Sequence, residues 1–306
     1  MTKPKVIVIC GPTASGKTSL SIDLAKRING EIVSCDSMQI YKDMDIGSAK
    51  PTKEEMQGIK HYLIDCVSPE ERYSVARYKK EAEQAIKEIL EKGKTPIVVG
   101  GTGLYVNSLV YGIEYNEIEV DMTYRKKLEE IALEHGLDTL YEQALQIDPE
   151  AMQIISRNDK KRIMRVLEIY HATGKTKTQQ EQESRKNGVK YDYHVFAIFM
   201  DRDKLYDRIN KRVDIMIENG LIEEVKQLLK KYKNYPTAMQ GLGYKEVKEY
   251  LEGIITKDEM IEKIKMETRR YAKRQMTWFK KNKNTIWLKS ENENTNNINI
   301  ILEELH

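Results

Sequence analysis

Eight consecutive residues have the types and spacing to hold phosphate: Gly11-Pro12-Thr13-Ala14-Ser15-Gly16-Lys17-Thr18, which fits G-x-x-x-x-G-K-[ST]. The glycines let the backbone curl so that its N–H groups converge on anionic oxygens. A helix N-terminus behind them adds partial positive charge. Lys17 brings a point charge, and Thr18 a hydroxyl for a phosphate or for Mg2+. The loop specifies phosphate or pyrophosphate and is silent on the reaction. Asp36 ends a strand-like run and is expected near this loop, with a simple turn cap as the ordinary alternative. Gly100-Gly101-Thr102-Gly103 would let another molecule approach the backbone closely, or would form a packing turn. Arg208 and Arg212 share a helix face and are candidates to clamp pyrophosphate, unless Asp or Glu neighbours pair with them. Lys161, Arg162 and Arg165 give another helix a basic face, which is either a nucleic-acid contact or a solvated surface.

The flanks of the phosphate loop are the ones the motif needs. Val6–Cys10 is an apolar run suited to a buried strand. Leu20, Leu24 and Ile28 recur on one helix face, and Asn29-Gly30 ends the pattern. Further strands are predicted over 31–35, 62–66, 95–99, 193–199 and 285–288. Residues 43–51 are turn-rich and expected to lie over the site. Ser74 is expected to cap a helix running to Leu90. Between Ile113 and Gly188 strand-like runs vanish and amphipathic helices follow one another, opened by Asp121, Asp138, Asp148-Pro149 and Asn158-Asp159. On the last of these, Ile163, Val166, Leu167 and Tyr170 should line one buried face. Thr173-Gly174-Lys175-Thr176 resembles a second phosphate loop but follows a helix, so Gly174 reads as a C-cap. The helix predicted over 257–281 interleaves Arg269, Arg270, Lys273 and Arg274 with Tyr271, Trp278 and Phe279. It fits an RNA-facing helix and a packed helix with solvated cations equally well. The Asn-rich stretch 292–299 is expected to be a flexible connector to a short terminal helix.

The architecture expected is α/β: a P-loop NTPase-like parallel sheet flanked by helices, formed by 1–112 and 190–306, with an all-helical insertion over 113–189. In 306 residues, 51 Lys and Arg against 48 Asp and Glu leave a net charge of +3, so any nucleic-acid surface must be a local patch. Apolar runs are strand-sized, no cleavable leader pattern precedes the first strand, and a cytoplasmic, water-soluble chain is expected. Cys10, Cys35 and Cys66 are widely spaced, which suggests a reducing compartment and no structural zinc, with Cys10 and Cys35 as small core residues.

The ordered set of motifs resembles the tRNA dimethylallyltransferases, also called tRNA isopentenyltransferases, over nearly the whole chain. Besides Gly11–Thr18, the resemblance rests on Asp36-Ser37-Met38-Gln39-Ile40-Tyr41 and Ile46-Gly47-Ser48-Ala49-Lys50-Pro51. Gly100–Tyr105, Asn158-Asp159 with Arg162 and Arg165, Gln240–Lys245 and Arg270–Phe279 complete it. Ser48 stands where the family usually has threonine, and the bacterial form is indicated. The resemblance implies transfer of a five-carbon allyl group from dimethylallyl diphosphate to N6 of the adenosine 3′ of the anticodon. The phosphate loop would then hold a leaving group, with Lys17, Thr18 and Mg2+ offsetting its charge. Asp36 becomes the candidate general base for a weakly nucleophilic amine, and the adenosine must leave its stack. Thr102 would line the channel, and Arg212, with Arg208 second, would clamp the diphosphate. The implied tRNA contacts are Asp36, Ser37, Met38, Gln39, Thr102, Arg125, Lys161, Arg162, Ile163, Met164, Arg165, Gln240, Gly241, Leu242, Gly243, Tyr244 and Lys245. The partners implied are tRNA, through its anticodon stem-loop, and dimethylallyl diphosphate, acting on a monomer without a membrane. A small-molecule P-loop kinase and an RNA-binding module with a nucleotide sensor are the competing readings, and ATP-family nucleotides could occupy such a loop in vitro.

Overall fold

A computed structural model describes residues 3–115, 121–185, 188–291 and 293–305. The chain forms two compact units, one of residues 1–110 with 190–306 and one of residues 111–189. In the first unit the chain begins with β1 (Lys5–Cys10), α1 (Lys17–Arg27), β2 (Gly30–Ser34) and the short α2 (Lys53–Met56). It continues through β3 (His61–Tyr62), α3 (Val75–Glu91), β4 (Thr95–Gly100) and α4 (Gly103–Val110). The second unit contributes α5 (Met122–Glu134), α6 (Leu137–Ile147), α7 (Pro149–Met152), α8 (Lys160–Thr173) and α9 (Lys177–Arg185). The first then resumes with β5 (Asp192–Phe199), α10 (Arg202–Glu218), α11 (Leu221–Lys231) and α12 (Tyr244–Leu251). It closes with α13 (Lys257–Phe279), β6 (Ile286–Lys289) and α14 (Asn294–Leu305).

The six strands of the described residues make one parallel sheet in the order β3-β2-β4-β1-β5-β6. β1 is central, and its apolar residues serve both faces because side chains alternate along a strand. Val6, Val8 and Cys10 pack into the core shared with α3, α4, α11, α12 and α13. Ile7 and Ile9 join Leu20 and Leu24 of α1 and Ile298 and Ile301 of α14 on the opposite face. β4 lies between β1 and β2, so the first crossover skips a strand and opens a crevice at the strands' carboxyl ends.

Some local expectations hold and others are corrected. The run over 62–66 pairs only through His61–Tyr62, because Leu63 and Asp65 take positive φ and turn the chain away. The left-handed residue after α1 is Asn29, whereas Gly30 starts β2, where an added Cβ would lie 2.8 Å from the Ile97 side chain. Ser74 caps α3 by accepting the Arg77 N–H. The Asn-rich tail is helical from Asn294, not a flexible connector; Asn292 lies outside the described residues. Asn294 donates to Ser19 and Asp23 of α1, and Ile298 and Ile301 are buried, so packing overrides composition.

The helical unit has its own core of Leu128, Leu140, Ala144, Ala151, Met152, Ile163, Val166 and Leu167. Asp121, Asp148 and Asp159 cap their helices through side-chain acceptors, and Gly174 ends α8 at φ 67°. α6 instead begins after Gly136, with Asp138 inside its first turn. Tyr170 leaves the buried stripe and is 42% exposed, while Met164 and Ile169 join it.

Candidate active site

The phosphate loop grows directly out of β1. Gly11 at φ 145° and Gly16 at φ 97° hold conformations that L side chains resist, and Ala14 at φ 63° is bent the same way. Lys17 then begins α1, and its ammonium closes the loop by donating to the Pro12 carbonyl at 2.7 Å. Ser15 is 3% exposed, yet its hydroxyl has no partner, an orphaned buried donor of the kind a bound anion satisfies. Burial, then the nearby Arg212 cation, pull the Lys17 ammonium down to about 8, against the favourable field of Asp36. Arg212 of α10 donates to the Thr13 hydroxyl at 3.3 Å and reaches both sides of the loop. Arg208 is exposed and lines only the outer side, with Lys211, Thr18 and Asp23.

Asp36 follows β2 and faces the same cleft as Lys17, Thr18 and Arg212, a space of about 390 Å3. The two readings of this residue are both realised. Its Oδ1 accepts the N–H groups of Met38 at 2.8 Å and Gln39 at 3.3 Å, so Asp36 caps the turn and also lines the cleft. Thr102 Oγ1 accepts the Ser37 N–H at 3.1 Å, tying the end of β4 to the Asp36 turn. Tyr271 of α13 closes this side, and burial raises its phenol well above the usual range. Burial likewise pushes the Cys35 thiol up to about 12 and raises Cys10, so both are inert core residues at neutral pH.

The glycines at the end of β4 answer to the chain itself. An added Cβ at Gly100 would fall 2.1 Å from the Cys35 carbonyl oxygen, and one at Gly101 would fall 2.2 Å from Gln275 Nε2. The packing turn therefore prevails over close approach by an outside molecule, although Gly100 and Gly101 still line the cleft.

The Gln240–Lys245 segment borders the cleft through Gln240, Gly241, Leu242, Gly243 and Lys245. Tyr244 does not: it is 0% exposed, and its hydroxyl is spent on Glu224 and on the Ser48 N–H, so its side chain packs within the chain rather than lining the cleft. Met38 is half-buried against Gly241. In the helical unit, Ile163 and Met164 are buried, so their side chains belong to the core rather than to the exposed face of α8. Lys161 and Arg162 are exposed on α8, with Arg162 beside Asp159 at 3.3 Å. Arg125 and Arg165 flank the buried Glu168, at 3.8 and 3.4 Å. The structure thus gathers the phosphate loop, Asp36, Arg212 and Gln240–Lys245 in one unit, with Thr102 bonded to the Asp36 turn, and leaves Arg125 and Lys161–Arg165 on the other.

Two residues escaped the sequence reading. Gln275 is buried on α13, accepts the Thr13 N–H at 3.0 Å and donates to the Gly101 carbonyl at 2.8 Å, so it joins the phosphate loop to the end of β4. Glu224 receives the backbone of the 45–47 turn. Each is a polar residue on an apolar helical stripe, Ala272-Gln275-Phe279 and Leu221-Glu224-Leu228, and that misfit is the signal that could have found them.

Residues 39–282 match the family described as IPP transferase. The chain is 55% identical over 287 residues to the tRNA dimethylallyltransferase of Acetivibrio thermocellus, covering 94% of this chain and 92% of that protein. It is 53% identical over 279 residues to the corresponding protein of a Thermoanaerobacter species, covering 90% and 89%. Among solved structures it is similar to the full-length tRNA isopentenylpyrophosphate transferase of Bacillus halodurans, with TM-score 0.74, 42% identity and coverage of 99% and 96%. It also resembles a eukaryotic dimethylallyltransferase acting on tRNA, with TM-score 0.76, 35% identity and coverage of 94% and 74%.

Proposed function

Because the chain belongs to the IPP transferase family, we propose that it moves the dimethylallyl group of dimethylallyl diphosphate onto N6 of the tRNA adenosine 3′ of the anticodon. The observation that carries this reading is a phosphate cradle and a carboxylate facing one cleft, Lys17 and Thr18 against Asp36. The allylic C–O bond breaks and its electron pair leaves with diphosphate. The N6 lone pair forms the new C–N bond, and the N6 proton passes to Asp36. The loop N–H groups, the Ser15 hydroxyl, Lys17 and Arg212 take up the charge that grows on the leaving oxygen. Arg208 is the second cation for the diphosphate.

Among the described residues no group of three His, Cys, Asp or Glu side chains could hold an ion. Thr18, at the start of α1 and on the cleft wall, is the side chain that would hold Mg2+ together with the diphosphate. Bound there, the ion would offset negative charge on the leaving group. Asp36–Gln39, Thr102 and Gln240–Gly243 with Lys245 would receive the extruded base and its neighbours. The helical unit would grip the anticodon stem-loop through Arg125, Lys161, Arg162 and Arg165, by salt-dependent phosphate contacts. The reading carries with it a cytoplasmic enzyme acting as a monomer.

Incubation with radiolabelled dimethylallyl diphosphate and unmodified tRNA tests the reading. Label entering RNA is expected. ATP turnover on a small acceptor without allyl transfer would favour a kinase, and RNA binding with no label would favour a binding module.

A further inference from the structure

The 43–51 segment walls the reaction cleft without regular structure of its own, so something else must fix it. Glu224 supplies that anchor. Its Oε2 accepts the N–H groups of Asp45 at 2.9 Å and Ile46 at 2.7 Å, and its Oε1 accepts the Gly47 N–H at 3.1 Å. Three successive backbone donors thus close around one carboxylate, an anion nest filled from within the chain. Tyr244 completes the clamp. Its hydroxyl donates to Glu224 Oε1 at 2.8 Å and accepts the Ser48 N–H at 3.2 Å. Its ring lies so near Gly47 that a Cβ there would sit 2.6 Å away. From the other side, Gln39 Nε2 donates to the carbonyls of Ser48 at 3.3 Å and Ala49 at 3.1 Å. Gly47, Ser48 and Ala49 line the cleft with Asp36 and Lys17, and Ala49 and Pro51 also border the outer side of the phosphate loop.

We propose that Glu224 and Tyr244 are positioning residues that hold 45–48 as a fixed wall and so set the width of the cleft in which allyl diphosphate meets its acceptor. This rests on the reading of that cleft as the transfer site. Neither side chain touches a reacting group, so substrate fit responds before turnover.

The removal of the carboxylate gives a test that general loss of structure would not mimic. Glu224→Ala leaves three N–H donors facing a space that formate can enter. The KM for dimethylallyl diphosphate should rise about tenfold, with kcat changed less than about threefold. Hydrogen exchange at the amides of 45–47 should quicken, and formate, but not chloride at equal ionic strength, should restore both. Tyr244→Phe keeps the ring against Gly47 and loses the hydroxyl. It should raise KM less, without repair by formate, and it decides the matter if Glu224→Ala fails to fold. The proposal is overturned by an unchanged KM in the folded variants, by amides at 45–47 as protected as in the parent, or by a raised KM in Glu224→Ala that formate leaves in place. If the parent protein transfers no label to RNA, the function reading fails, while amide exchange with and without formate still decides the clamp.

Discussion

Asp36 caps its turn with the same carboxyl group that we propose as the proton acceptor, and the substitution chosen decides which role is seen. Asp36→Asn keeps an oxygen for the Met38 and Gln39 N–H groups and removes the proton acceptor. It should lower kcat about 100-fold to 10,000-fold with tRNA affinity little changed, measured by single-turnover transfer and filter binding. Asp36→Ala should add a stability loss of about 1 kcal/mol for the missing cap, seen by thermal unfolding. Near-normal turnover in Asp36→Asn would leave the residue as a cap alone. Lys17 gives a pH prediction. With the free ammonium held at about 8, well under the ordinary 10.5, it is neutral above that pH until an anion arrives. Diphosphate favours the charged form, so binding should take up protons between about pH 8 and 10 and weaken as pH rises through that window. Calorimetry in buffers of different ionisation enthalpy reads the uptake, and its absence would show that Lys17 stays charged in the free protein. Unfolding exposes the same lysine and binds more protons there, so this group makes stability rise with pH over that window.

α13 combines the two features that its composition suggested. Met260, Ile264, Ala272 and Phe279 face the core, while Arg270, Lys273 and Arg274 are exposed and Arg274 lines the cleft, and the polar intruder in the packed stripe, Gln275, becomes the informative residue. Gln275→Leu would strand the Thr13 N–H and the Gly101 carbonyl. We expect a loss of about 1–3 kcal/mol in unfolding free energy, because buried polar groups lose their partners. A higher KM for dimethylallyl diphosphate should accompany it, because the loop that holds phosphate loses its brace. A stability loss with unchanged KM would make the bridge purely structural. The terminal helix α14 makes the same argument from the opposite direction. Its Asn-rich sequence favours no helix, yet Ile298 and Ile301 are buried against α1. Exchange of both for alanine should cost about 4–8 kcal/mol if the two sites are additive, and loss of folding is an admissible extreme.

At the scale of the whole molecule, the proposed transfer cleft and the proposed stem-loop grip fall on different units, so they should be separable by mutation. Arg162→Ala removes an exposed cation whose ion pair with Asp159 is solvated, so the fold should be nearly untouched. Both Arg162→Ala and Arg165→Ala should weaken tRNA binding and reduce the salt slope by about one each, while turnover at saturating tRNA persists. An unchanged slope would mean that these charges are merely solvated. The Arg165 variant also withdraws a partner from the buried Glu168, whose Oε1 already lacks a hydrogen bond, so it should show the larger stability loss of the pair.

The parts of this protein that were legible in its residue order are those governed by near neighbours. The phosphate loop, the caps at Ser74, Asp121 and Asp159, the strand runs and the switch to helices after Ile113 depend on spacing within a few residues, where backbone sterics and side-chain periodicity act. Tertiary structure decided whatever depends on residues far apart in the chain. It buried the Tyr244 side chain against Glu224, filled the space beside Gly100 and Gly101 with Cys35 and Gln275, and made a helix of the Asn-rich tail. The reason is that burial and hydrogen-bond partnership are properties of a place in space. Partners such as Glu224 and the 45–47 turn, or Gln275 and Thr13, meet only once the sheet and its helices have closed.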